Sequence, residues 1–167
     1  SISIRCALIA KELNLYDNNT DRSETIFICG LLHEIGLLVF YHRIPELARE
    51  AGLLVQSGGI NEIEAENQII GLNHYLVGAE LIRHWKLPEI IYATIYNHQL
   101  PYPPNQFSQE TATIKLASQI CKLETIYKNT DFIPDWNLVK LPQSTIDAVT
   151  ARANDQYISA YEIFFPV

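Results

Sequence analysis

Hydrophobic positions along this chain recur at three- and four-residue intervals far more often than at alternate positions, which predicts helices almost throughout. Ile4 to Leu13 reads as the end of one helix, followed by a polar loop, NLYDNNTDRS. Asp21 or Ser23 can cap the next, with Glu24 in its first turn, where a negative charge suits the helix dipole. That helix is expected to run unbroken to about Tyr41. Pro45 opens another, PELAREAGLL, and Gly58 and Gly59 separate it from an acidic helix, NEIEAENQII, that ends at Gly71. A further helix spans His74 to about Trp85. Pro88 fits the first turn of PEIIYATIYNH, which the proline-rich loop LPYPPNQF closes. Beyond it, Leu116, Ile120, Leu123 and Tyr127 form one buried stripe. Ser144 with Asp147 resembles a capping box before a last helix, whose Tyr157, Tyr161, Phe164 and Phe165 can close the core or meet a partner. The predicted fold class is all-α, in a single domain over residues 1–167.

Composition sharpens this picture. A chain of 167 residues with 48% hydrophobic and 19% charged residues can bury a sizeable core. Its longest apolar run, Ile26 to Tyr41, is interrupted by His33 and Glu34 and falls short of the roughly 18 residues of a membrane helix. No membrane contact is expected, and the cytoplasm is the expected location. The first residues lack the basic start and apolar stretch of a signal peptide, and no methionine precedes Ser1, so the chain is expected to open inside a helix of a longer protein. Cys6, Cys29 and Cys121 stand far apart among apolar neighbours, which reads as buried thiols in a reducing compartment. With 12 Lys and Arg against 19 Asp and Glu, a net charge of −7 and no basic cluster, nucleic acid is not an expected partner.

Polar residues that interrupt apolar helix faces are the candidates for chemistry. In LLHEIGLLVF, successive residues point about 100° apart, so His33 and Glu34 can lean toward one point while Gly36 lets another helix approach. His74 has Gly78 and Leu81 on its face, and His98 follows Ile91 and Ile95 along an apolar stripe. Three imidazoles and a carboxylate suit a divalent metal, but without an H-x-x-x-H or H-E-x-x-H pair, separate helices would have to assemble the site. The same histidines can equally be hydrogen-bonded core residues. Glu34, if buried, needs a metal, a partner or a route to water. His42 and His84 sit beside basic residues and are expected in solvent, and Glu62, Glu64 and Glu66 read as a solvated helix surface.

Two segments carry a resemblance. FICGLLHEIGLLVF resembles the GLLHDIG helix of the HD superfamily's HDOD branch, the HD-related output domain of bacterial signalling proteins. NHYLVGAELIRHWKLPEIIYATIYNHQ resembles that branch's H-x-x-x-G, W-x-L-P-x-x-I and H-H stretch. The similarity extends from the first helix to about Tyr127, and the remainder carries no motif that can be placed. It implies a compact helical bundle of the HD-domain type. In active HD phosphohydrolases, His and Asp side chains hold one or two divalent metals that activate water for attack on a phosphate ester. On this resemblance His33 matches the motif histidine, Glu34 its aspartate, His74 the next histidine, and Asn97 with His98 the later pair. The family's earlier histidine has no counterpart in SISIRCALIAKEL, its late aspartate falls at Ser118, and the lysine often found after HDIG in hydrolases is Leu37.

These departures do not support a full two-metal centre. The resemblance therefore implies a non-catalytic signal-transduction module that binds other signalling proteins or domains, or a second copy, and needs no cofactor. His33, Glu34, His74 and His98 would be the remnant of its metal site. One alternative is a metal-dependent phosphohydrolase acting on a nucleotide or cyclic dinucleotide, with those four as ligands to Fe, Mn, Zn or Mg. Another is a ligand-binding domain that uses the same cavity without chemistry. The family also has an N-terminal helical half, which this chain is expected to lack.

Overall fold

The helical periodicity is realised in a computed structural model of the chain, which describes residues 2–16, 20–126 and 141–164. Among these, nine α-helices follow one another and no strand occurs. They are α1 (Ile2–Tyr16), α2 (Ser23–Leu32), α3 (Ile35–Arg43), α4 (Pro45–Gln56), α5 (Glu62–Ile69), α6 (His74–His84), α7 (Glu89–Asn97), α8 (Ser108–Ile126) and α9 (Gln143–Phe164). The chain divides into two compact units, one made of residues 1–31 and 97–167, the other of residues 32–96.

In the first unit, α1 packs on α8 and α9 and buries Cys6, Ala7, Ile9, Ala10 and Leu13. Small residues bring the backbones together: a Cβ at Gly30 would lie 2.6 Å from Ala7 Cα, so α2 rests directly on α1. Leu116 and Ile120 are buried as the stripe on α8 requires; Tyr127 and the side chain of Leu123 lie outside the described residues. Polar contacts tie α1 to α9. The Arg5 guanidinium donates to Asn154 Oδ1 at 3.0 and 3.1 Å, and Gln156 Nε2 donates to Glu12 Oε1 at 2.8 Å. All three cysteines are buried and none forms a disulfide.

The expected capping box at Ser144 and Asp147 does not form. The helix begins two residues earlier than that box requires, directly after Pro142, and Gln143 Nε2 donates to the Asp147 carboxylate at 2.9 Å, which leaves Ser144 inside the first turn. Of the aromatic tail, Tyr161 is exposed and its ring lies 6.5 Å from that of Tyr157. Phe165 and the side chain of Phe164 lie outside the described residues.

In the second unit, α3 packs on α6 and α4, and α4 on α5. Pro45 stands in the first turn of α4, where its missing N–H costs nothing. Asn61 and Glu64 form a reciprocal capping box that starts α5, and Gly71, at φ +90°, makes the left-handed turn toward α6. Asn73 Oδ1 accepts from the Leu76 N–H at 3.1 Å and caps α6. At the other end of α6, Leu87 N–H donates to Ile82 O at 3.2 Å and Lys86 N–H to Arg83 O at 3.0 Å, a Schellman closure with Lys86 at φ +56°. The Arg83 guanidinium then covers the Tyr92 ring of α7 at 4.4 Å. Burial holds the Tyr92 hydroxyl above the usual tyrosine range, with Arg83 pulling the other way.

Two expectations about residues 23–43 are corrected. The single helix predicted from Ser23 to Tyr41 is two helices, because His33 and Glu34 form a turn between α2 and α3. Counted with its flanks, Ser23–Arg43 spans 21 residues at a mean hydropathy of 1.6, enough by length and composition to cross a membrane. Here the stretch is used otherwise: its first half lies on α1 through Gly30, and its second half lies on α6 through Gly36.

Candidate functional site

The His/Glu pair owes its position to the break in its own helix. Glu34 has φ −113° and ψ 22°, in the sparsely populated bridge region, and stands at the N-cap of α3 without a side-chain capping bond. His33 is 1% exposed, while the Glu34 side chain is 12% exposed. Glu34 Oε1 lies 3.7 Å from His33 Nε2, an ion-pair distance beyond hydrogen-bond reach. Two residues on, Gly36 meets the first turn of α6: a Cβ there would sit 2.7 Å from the carbonyl carbon of His74 and 2.9 Å from Gly78 N. Only glycine permits so close a crossing of α3 and α6.

His74, the first residue of α6, is fully buried and held by a carboxylate that the sequence reading assigned to the surface. Glu66 of α5 is 4% exposed; its carboxylate oxygens lie 2.7 and 2.8 Å from His74 Nδ1, and Oε2 accepts the His74 backbone N–H at 2.8 Å. Hydrogen bonds to a charged group contribute about 1.5–3 kcal/mol each, so the pair fastens α5 to α6 firmly. In the neutral tautomer with its proton on Nδ1, which suits this contact, Nε2 carries a lone pair. Nε2 is buried and has no hydrogen-bond partner among the described residues. A signal for Glu66 existed in the sequence: it shares a helix face with Ile63 and Ile70, at i−3 and i+4.

The other candidates are distributed as follows. His98, 3% exposed, follows α7 and belongs to the unit formed by residues 1–31 and 97–167, whereas His33, Glu34 and His74 belong to the unit of residues 32–96. Asn97 is half-buried, and Ser118 is buried in α8. His42 and His84 are exposed, as expected. Among the described residues, no group of three or more His, Cys, Asp and Glu side chains is arranged to hold a metal ion. The Nε2 of His74, which has no partner among the described residues, suits a metal or a buried donor.

The His/Glu turn leads into a helix that crosses α6 beside the buried His74, in an all-helical fold. The chain belongs to the HDOD family, whose domain model matches residues 1–101. Over 115 residues it is 31% identical to an uncharacterized protein of Treponema pallidum (strain Nichols), a stretch covering 61% of this chain and 21% of that protein. Its fold is similar to that of an HDOD domain protein with unknown function from Geobacter sulfurreducens, with a TM-score of 0.72 and 22% identity over 100% of this chain and 63% of that one. It is similar also to the "Putative phosphohydrolase" of Shewanella amazonensis SB2B, with a TM-score of 0.67 and 22% identity over 92% of this chain and 51% of that one. The chain thus spans about a fifth of the length of the curated relative and half to two thirds of the solved structures.

Proposed function

We propose that this chain is a non-catalytic regulatory module of bacterial signal transduction, which binds other signalling proteins or domains, or a second copy, through its helix surfaces. The observation that carries this reading is the use made of His74: Glu66 takes both its backbone N–H and its Nδ1, so the residue joins two helices. Donor chemistry supports the reading. Asn97 and Ser118 offer an amide and a hydroxyl where the family resemblance calls for an imidazole and a carboxylate, and neither brings the negative charge that stabilises a divalent ion. Apolar side chains left in solvent on α3 and α4, Leu38 at 65%, Tyr41 at 59% and Leu53 at 52%, supply area for a protein partner.

A second reading is favoured by one observation. A histidine whose Nδ1–H is fixed by a carboxylate and whose Nε2 is buried without a partner among the described residues has the arrangement of a metal ligand with its orienting group. On that reading the module is a metal-dependent phosphohydrolase of a nucleotide or cyclic dinucleotide. Metal analysis of the purified protein, with phosphoester assays in added Mn, Fe, Zn or Mg, separates the two. The regulatory reading expects no stoichiometric metal and no turnover above that of a His33→Ala, His74→Ala double variant. Stoichiometric metal that this variant loses, together with turnover, would decide for the hydrolase.

A further inference from the structure

One interior helix glycine has no steric reason to be glycine. A Cβ at Gly30 or Gly36 would run into a neighbouring backbone, and one at Gly78 would press to 3.2 Å from Gly36 N. At Gly52, in the middle of α4, it would meet no atom within 4 Å. Glycine weakens a helix interior relative to alanine, so the position forgoes stability without relieving a clash. Gly52 borders a cavity of about 170 Å³ lined by α3, α4 and α5 and partly open to solvent. A cavity of about 150 Å³ is enough to hold benzene, so this one accommodates a single ring or a branched chain of similar size.

The lining has a direction. Leu37 and Phe40 of α3 and Ala51 and Val55 of α4 give it apolar walls, while α5 contributes two carboxylates, Glu62 and Glu66. No basic side chain lines it among the described residues. Glu66 is buried, and its contacts with His74 are made by N–H donors, so a cation entering from the cavity would add a charge-assisted bond to a carboxylate already held in place.

We propose that this cavity binds a small amphipathic amine, with its apolar body between α3 and α4 and its ammonium directed at Glu66. Because Glu66 also holds His74, occupancy is felt at the head of α6, beside the Gly36 crossing. The proposal goes beyond the regulatory reading and is independent of whether the module turns over a phosphoester.

Titration of the protein with 2-phenylethylamine and with isoamylamine, followed by calorimetry and amide NMR, tests it, with 2-phenylethanol as the neutral counterpart. The expected result is saturable binding, about tenfold or more tighter for 2-phenylethylamine than for the alcohol, with shifts at α3 to α5 and at the His74 amide. Gly52→Leu adds a side chain at the cavity's border, where no atom lies within 4 Å of the new Cβ, and is expected to abolish binding while keeping the helical circular dichroism. Glu66→Gln should bring the two aromatic ligands to similar affinity. Equal affinity for amine and alcohol, no saturable binding of either amine in the millimolar range, or unchanged affinity in Gly52→Leu would overturn the proposal.

Discussion

A carboxylate that is 4% exposed is sustained only by the donors around it, and for Glu66 these are the backbone and ring N–H groups of His74. Glu66→Ala removes the acceptor and leaves both donors buried, so a loss of about 3 kcal/mol is expected in urea unfolding. Glu64→Ala, which removes an exposed capping partner on the same helix, should cost no more than about 1 kcal/mol. Equal losses in the two variants would contradict the buried role of Glu66. The difference was hard to read in the sequence because Glu62, Glu64 and Glu66 look alike as an acidic run, and only the i−3 and i+4 isoleucines set Glu66 apart. Lys86 presents the opposite case, a residue whose side chain is tolerated rather than required. It holds φ +56° at the end of α6, where a Cβ is penalised and glycine is not. Lys86→Gly is therefore expected to raise stability by roughly 1 kcal/mol, seen as a higher urea midpoint with an unchanged slope.

Between elements, the sharpest constraint is the crossing of α3 and α6. A Cβ at Gly36 would fall 2.7 Å from His74 C and 2.9 Å from Gly78 N, all backbone atoms that cannot move aside singly. Gly36→Ala must push the helices apart, at a cost expected to exceed about 3 kcal/mol. At Gly78 the added carbon would meet Gly36 N and the Ile35 side chain at 3.2 Å, a misfit of a few tenths of an ångström, so Gly78→Ala should cost about 1 kcal/mol. Thermal unfolding of the two variants checks the order. The need for a small residue at position 36 was visible in LLHEIGLLVF, and so were the starts of α4 at Pro45 and of α6 at His74. The break between α2 and α3 was not visible. Apolar periodicity continues through His33 and Glu34, and no glycine or proline marks the turn; the interruption consists of backbone angles at Glu34, which the residue type does not announce.

For the molecule as a whole, charge is the property that composition and structure describe together. A net charge of −7 could still coexist with a basic face if the cations were gathered on one side. Among the described residues, seven of the twelve Lys and Arg side chains are instead engaged locally. Lys11 lies 2.9 Å from Glu24, Arg83 3.0 Å from Glu80, Arg152 3.4 Å from Glu12 and Arg49 3.6 Å from Glu46, while Arg22 meets Glu110. Arg5 is spent on Asn154, and Lys115 is buried with Nζ donating to Leu100 O. A phosphate backbone competing for these groups would have to break contacts while approaching an acidic surface. Protein that neutralises six or more phosphates loses roughly a thousandfold or more in affinity between about 50 and 200 mM salt, so low salt is the most permissive condition for detecting such binding. At about 50 mM KCl, duplex DNA is expected to show no mobility shift with this protein. A shift whose affinity falls steeply as salt is raised would reveal a cationic face that the pairing of these side chains does not provide.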